Sequence, residues 1–109
     1  MTILTEVKKH YGKLRLFIDG EGVDSASTTV HETTNPFNED VIAEFPQATE
    51  SEARAAVESA QRGFEALNRI ALRERMKMLF DLRQKFEENF EDLCRVLTQD
   101  HGRTIKESR

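Results

Sequence analysis

The chain has 109 residues, of which 38% are hydrophobic and 33% are charged, and its formal net charge is −4. This composition is typical of a globular domain, and the acidic balance argues against a general nucleic-acid surface. No apolar run approaches the roughly 20 residues needed to span a bilayer, and the start lacks a signal-peptide core. The single cysteine, Cys94, cannot form an internal disulfide. We therefore expect a cytoplasmic protein that binds neither nucleic acid nor membrane.

The first half of the chain predicts short strands. Residues 1–13 are expected to be a loosely held lead-in that orders only where it meets a neighbour. Asp19-Gly20 is a dipeptide suited to a tight turn, so it predicts a hairpin. Proline ends two further strands, at Asn35-Pro36 and at Pro46. The predicted strands cover residues 14–18, 22–24, 30–34 and 41–45.

The first helix is predicted to start at Thr49. Thr49 and Glu52 form a capping-box pattern, in which each side chain covers a backbone amide of the other residue. The predicted buried face consists of Ala53, Ala56, Val57, Ala60, Phe64 and Leu67, mostly small residues that would let another helix approach closely. A short link over residues 68–71 then predicts an antiparallel helical hairpin.

Residues 72–99 carry the clearest helical pattern of the chain. Apolar residues recur every three or four positions, and we call this set the helix stripe: Met76, Leu79, Leu82, Phe86, Phe90, Leu93 and Leu97. Asn89 is the predicted break between two helices, because asparagine is poor inside a helix and can cap a new one. Gly102 predicts a left-handed stop, and Thr104 predicts the cap of a further helix over residues 103–109. Phe86 and Phe90 are expected to be buried, between the two main helices or against elements that follow.

No residue is predicted to be catalytic, cofactor-binding or metal-ligating. Cys94 lies among apolar helix residues with no histidine at a useful spacing, so a buried hydrophobic role is preferred over a nucleophile. The three histidines lack the spacing of a metal site; they are His10, His31 and His101. Gly20 and Gly22 are turn residues, because a dinucleotide loop would need a helix after it.

Five segments, taken together and in order, resemble one known family. They are Leu16-Phe17-Ile18-Asp19-Gly20, Asn35-Pro36, Val41-Ile42-Ala43-Glu44, residues 53–64 and Asp100-His101-Gly102-Arg103-Thr104. Over residues 14–109 the chain resembles the amino-terminal segment of the aldehyde dehydrogenase superfamily. Two positions depart from the usual pattern: Glu39 replaces a turn glycine and Arg103 replaces a lysine. The non-glycine turn favours the methylmalonate-semialdehyde branch.

The resemblance implies an α/β, Rossmann-like parent fold, of which this segment would be an α+β part: short antiparallel strands and a hairpin, then a helical hairpin. Residues 14–109 would be the amino-terminal part of the cofactor-binding domain, before its parallel sheet and the catalytic domain. The implied enzyme oxidises an aldehyde to an acid or acyl-coenzyme A with NAD or NADP, through a cysteine thioester. The implied catalytic residues lie outside this chain. We therefore expect these 109 residues alone to be inactive and to bind no cofactor.

The resemblance also implies partners. The rest of the enzyme fold would cover the segment, and the full-length protein would form homo-oligomers. Asp100 matches an acidic position that helps hold a monovalent cation near the Asn-Pro turn in some members, although a structural role in ending the helix is preferred. A different hypothesis is a stand-alone, non-catalytic helical interaction module, whose exposed helix stripe binds a partner.

Overall fold

The computed structural model describes residues 5–109 of the chain. A 3-10 helix over Thr5–His10 comes first. The strands that follow are β1 (Gly12–Lys13), β2 (Leu16–Ile18), β3 (Glu21–Val23), β4 (Val30–Thr34) and β5 (Val41–Pro46). The helices are α1 (Glu50–Asn68), α2 (Leu72–Glu88), α3 (Phe90–His101) and α4 (Ile105–Ser108). The predicted α+β order of short strands followed by helices is confirmed.

The strands form two small sheets. In the first sheet β5 lies in the centre, with β4 antiparallel on one side and β1 parallel on the other. The parallel strand was not predicted, because Gly12 and Lys13 show no apolar alternation. In the second sheet β2 and β3 form the predicted hairpin, whose turn residues Asp19 and Gly20 both have positive φ angles, 57° and 83°. Such a pair of angles matches the right-handed twist of the strands.

The hairpin boundaries differ slightly from those predicted. Leu14 is not part of β2, because its backbone N–H donates to Glu44 O of β5 at 2.7 Å. Asp24 is not part of β3; its carboxylate instead accepts from Arg15 Nε at 2.9 Å. Residues just outside a strand are thus held by the neighbouring sheet or by a side-chain ion pair.

The small core lies where the first sheet meets the 3-10 helix and α3. Its most buried apolar side chains are Val7, Ile42, Ala43 and Cys94, each at most 4% exposed. The lead-in is more ordered over residues 5–13 than predicted, because Val7 is fully buried and the 3-10 helix contacts α3. Residues 1–4 of the predicted lead-in lie outside the described part of the chain.

The predicted start of α1 is confirmed. Thr49 is the N-cap in an extended conformation, and its Oγ1 accepts from Glu52 N at 3.3 Å while Glu52 Oε2 accepts from Thr49 N at 2.8 Å.

The predicted buried face of α1 is wrong at most positions. Val57 and Phe64 are 69% and 62% exposed. The helix instead turns a more polar side inward, with Glu52, Ala56 and Ser59 as its partly buried residues.

The polar docking of α1 has a clear cause in the hairpin. Ser59 Oγ donates to Asp19 Oδ1 at 2.7 Å, and Arg62 Nη2 pairs with the same oxygen at 3.3 Å. These two contacts lower the pKa of the Asp19 carboxyl, the Ser59 hydrogen bond most. Because Asp19 sits at the hairpin turn, it fixes which side of α1 faces the strands. Apolar periodicity alone could not reveal this choice.

The predicted break at Asn89 is confirmed, but by a different mechanism. Asn89 separates α2 from α3, yet its side chain does not cap α3. Asn89 Nδ2 instead donates backward to Lys85 O at 2.9 Å, a carbonyl at the end of α2 that also accepts from Asn89 N at 3.2 Å. The predicted close packing of α1 against α2 is wrong, because every residue of α2 is exposed.

The predicted end of α3 at Gly102 and the predicted cap of the next helix at Thr104 are confirmed. Gly102 caps α3 with a φ of 78°, the left-handed region that favours glycine. Thr104 is the N-cap of α4 and shares a capping box with Glu107. Among residues 5–109, no helix has the length and apolar character that crossing a membrane requires.

Candidate functional site

The Asn-Pro turn after β4 is built around the side chain of Asn35. Its Oδ1 accepts from Phe37 N at 3.0 Å, and its backbone O accepts from Glu39 N at 2.8 Å. Asparagine suits this position because its side chain can replace a backbone group in a turn. Glu39 has a φ of 61°, which explains why a glycine would also fit there. Asn35 itself is only 8% exposed.

The end of α3 is held against this turn. Thr33 Oγ1 donates to Asp100 Oδ1 at 3.0 Å. A Cβ atom added at Gly102 would lie 2.8 Å from Pro36 Cγ, closer than side-chain carbons approach. Gly102 is therefore required both by its positive φ and by the close approach of the proline ring. The glycine, the proline and the Thr33–Asp100 bond together join β4 to α3.

Tyr11 connects the lead-in to the same region. Its hydroxyl donates to Val96 O at 3.3 Å, and burial, followed by the negative charge of Asp100, raises the pKa of the phenol. Asp100 thus accepts a hydrogen bond from Thr33 and acts electrostatically on the Tyr11 phenol, which is consistent with a structural role at the helix end. Its role toward a cation stays a prediction. Within residues 5–109, no group of three or more His, Cys, Asp and Glu residues is placed to hold a metal ion.

His10, His31 and Cys94 each have a different partner. His10 Nε2 lies 3.2 Å from Asp92 Oδ2, and this contact is the largest cause of the lowered pKa of the Asp92 carboxyl. His31 stacks at a tilt on Phe45, with ring centroids 5.6 Å apart. Cys94 is 2% exposed and its Sγ donates to Ser108 O at 3.3 Å. This thiol has a carbonyl as its partner rather than a base, which does not favour a nucleophile.

The helix stripe is the most conspicuous surface of the molecule. All its residues are at least partly exposed, from 39% at Leu97 to 65% at Leu79. Two adjoining grooves of about 420 and 390 Å³ run along it and share Phe86, Leu93 and Val96. Their rim carries polar groups, including Lys85. An uncovered apolar surface of this extent is typical of an interaction site.

The expected burial of Phe86 and Phe90 between the two main helices is wrong. Their exposed fractions are 56% and 43%. Periodicity correctly indicated which residues share a helix face, but it cannot show whether anything packs on that face. Among the described residues, no element covers α2.

A sequence profile of the aldehyde dehydrogenase family matches residues 23–109. The chain belongs to the aldehyde dehydrogenase family. The match includes the Asn-Pro turn, α1 and the Gly102 helix end, on which the resemblance was based. It also includes α2, which was predicted from its helical pattern. The match begins at Val23, the last residue of β3, so β1, β2 and the first two residues of β3 lie before it.

The relatives of this family member share its sequence at a moderate level. The chain is 34% identical over 95 residues to the mitochondrial methylmalonate-semialdehyde/malonate-semialdehyde dehydrogenase [acylating] of Mus musculus, covering 87% of this chain and 18% of that protein. It is 31% identical over 101 residues to the malonate-semialdehyde dehydrogenase of Lacticaseibacillus casei, covering 93% of this chain and 20% of that protein. The chain thus spans about a fifth of the length of these relatives. The predicted lean toward the semialdehyde branch agrees with their names.

Solved structures of the family share the fold of the segment. The betaine aldehyde dehydrogenase of Staphylococcus aureus in complex with NAD⁺ superposes with a TM-score of 0.85 at 34% identity, covering 94% of this chain and 21% of that one. A protein from Sinorhizobium meliloti 1021, described as a methylmalonate-semialdehyde dehydrogenase complexed with NAD, superposes with a TM-score of 0.82 at 28% identity. The superposition covers 88% of this chain and 20% of that protein. The strands and helices described above are therefore one part of a larger family fold.

Proposed function

We propose that this chain is the amino-terminal part, over residues 14–109, of the cofactor-binding domain of an NAD- or NADP-dependent aldehyde dehydrogenase. The observation that carries the proposal is the family match over residues 23–109, with relatives that are named as dehydrogenases and structures in complex with NAD. The enzyme oxidises an aldehyde through a cysteine thioester. Semialdehydes are the favoured substrate class, because the sequence relatives carry that name.

The role of the segment in this enzyme is structural. Its candidate nucleophile, Cys94, is buried with a carbonyl partner, so the reacting cysteine lies elsewhere in the enzyme. The helix stripe supplies the surface on which the rest of the fold packs, which explains why large apolar side chains line α2 and α3 while α2 stays exposed in this chain. The whole enzyme forms homo-oligomers and resides in the cytoplasm.

A second candidate is a stand-alone, non-catalytic helical interaction module. The observation that favours it is the same exposed helix stripe with its two adjoining grooves. The two proposals agree that these residues alone are inactive. They differ in whether the chain can replace the matching segment of a longer relative.

The inactivity is tested by incubating the purified chain with NAD or NADP and a panel of aldehydes, semialdehydes included. We expect no reduced cofactor above the rate of a protein-free blank. The control is Cys94→Ser, which removes the one thiol of the chain. Formation of NADH that depends on Cys94 would overturn the assignment of a structural role.

A further inference from the structure

Helix α1 has one apolar side that stays uncovered within residues 5–109. Ala53, Val57, Ala60, Phe64 and Leu67 follow one another at steps of four and three residues, which places them on one side of a helix. We call this set the α1 face. All five residues are exposed, with Val57 at 69% and Phe64 at 62%. The α1 face is separate from the helix stripe, which lies on α2 and α3.

The remaining surface of α1 is polar and has partners of its own. On one side, Ser59 Oγ donates to Asp19 Oδ1 at 2.7 Å and so docks the helix on the hairpin. On another side, Arg54 Nη2 donates to Glu50 Oε1 at 2.6 Å along the exposed surface. Neither contact involves the α1 face. Its apolar residues therefore contribute nothing to the docking of α1 within the described part of the chain.

The side chains of the α1 face differ in size along the helix. Ala53 and Ala60 each carry one methyl group, whereas Phe64 and Leu67, nearer the end of α1, are large. The distance between a helix and its neighbour depends on the side chains at the contact, and small residues allow a close approach. The α1 face thus fits an element that approaches α1 closely near Ala60 and diverges from it toward Leu67.

We propose that an apolar element from the remainder of the dehydrogenase fold, outside the matched segment, covers the α1 face. The chain spans about a fifth of the length of its relatives, so most of such a protein is available to supply the element. Exposed apolar surface of this kind is typical of an interaction site. This assignment rests on the proposed function, and it extends the contact with the rest of the fold from α2 and α3 to α1.

The area of the α1 face favours this occupant over a second copy of the chain. Val57, Phe64 and Leu67 are its large side chains, and half-exposed groups of this size offer roughly 100 Å² each. With the two alanines the face offers about 400 Å², half of the roughly 800 Å² per partner that a specific interface buries. A continuous part of the same fold can dock on a smaller area, because it avoids most of the translational and rotational cost of association.

The test places the same substitutions in two contexts. One is the 109-residue chain, and the other is a chimera in which the chain replaces the matching segment of the Mus musculus relative. Ala60→Leu should change the thermal midpoint of the chain alone by no more than about 2 °C, because the leucine extends into solvent. In the chimera it should lower the midpoint by roughly 4–10 °C, because the added carbons overpack a filled site. Phe64→Ala should also matter little in the chain alone and should lower the midpoint of the chimera, where it leaves a cavity.

The matched control is Ala55→Leu. Ala55 is exposed and lies about 140° around α1 from Ala60. This substitution should change the midpoint by no more than about 2 °C in both contexts. Circular dichroism of the 109-residue chain should show equal helix content in all three variants.

The outcomes separate this assignment from the proposed function. If Phe64→Ala lowered the midpoint of the chimera no more than Ala55→Leu does, the α1 face would be uncovered in the enzyme, and the proposed function would stand without it. An effect of Phe64→Ala without an effect of Ala60→Leu would contradict the close approach near Ala60. A chimera that fails to fold with the unaltered segment would overturn both proposals. A dimer of the 109-residue chain in sedimentation equilibrium that Ala60→Leu weakens would assign the face to a second copy instead.

Discussion

Removal of the Thr49 hydroxyl should destabilise the chain through one identifiable contact. Thr49 Oγ1 accepts from Glu52 N at 3.3 Å, a long hydrogen bond at the start of α1. Loss of an N-cap costs about 0.5–2 kcal/mol, and the length of this bond places Thr49→Ala in the lower half, at about 0.5–1 kcal/mol. Thr49→Ser should be nearly neutral, because serine supplies the same oxygen.

The assay is thermal unfolding followed by circular dichroism at a low protein concentration. A loss of about 0.5–1 kcal/mol should lower the midpoint by roughly 2–8 °C for a chain of this size. The matched control is Thr28→Ala, since Thr28 is exposed and its hydroxyl makes no hydrogen bond within residues 5–109. It should shift the midpoint by no more than a degree or so. If Thr49→Ser lowered the midpoint as much as Thr49→Ala, the cap would not be the source of the stability.

Three further predictions follow from individual contacts. Backbone hydrogen bonds lower the pKa of Glu52 to about 2, below its unfolded value. The stability that the Glu52 carboxylate contributes is therefore present above about pH 4.5 and is lost as the pH falls through about 2. The free energies of unfolding in urea of the wild type and of Glu52→Gln should converge at low pH, and a difference that stays constant with pH would contradict this. Gly102→Ala should destabilise by about 1–3 kcal/mol, because Gly102 has a positive φ and lies close to Pro36. The control Gly63→Ala, in mid-helix with open space around it, should stabilise by up to about 1 kcal/mol. If urea unfolding showed Gly63→Ala to be the more destabilising of the two, the structural role given to Gly102 would be refuted. Phe86→Ala should cost less than about 1 kcal/mol in this chain, where the ring is 56% exposed, against about 3–5 kcal/mol in a context that buries it; a loss above 2 kcal/mol here would mean that the ring is already covered.

Local signals allowed most of the backbone to be predicted. The Thr49 and Thr104 caps, the Asp19-Gly20 turn and the Gly102 stop each depend on residues that are neighbours in sequence, so their chemistry can be identified without a fold. The break at Asn89 was located for the same reason. Its mechanism was missed, because whether an asparagine bonds forward or backward depends on the angle between the two helices.

Burial could not be predicted in the same way. The inward side of α1 is decided by Asp19, forty residues before Ser59, and no periodicity within α1 contains that information. The parallel strand β1 is likewise held by β5 rather than by its own residues. The exposure of Phe86 follows from the absence of a covering element among residues 5–109. For the candidate site, the residues beside the Asn-Pro turn were identified, but the Thr33–Asp100 bond and the position of Tyr11 needed the structure.

The central claim is that this chain is a working part of an aldehyde dehydrogenase. The most direct test is a chimera in which the chain replaces the matching 95-residue segment of the Mus musculus relative, which is 34% identical. The claim predicts a soluble chimera that keeps the parent's dehydrogenase activity, and that loses stability or activity when Leu79→Asp places a charge on the helix stripe. A chimera that folds without activity, or that tolerates Leu79→Asp unchanged, would contradict the claim.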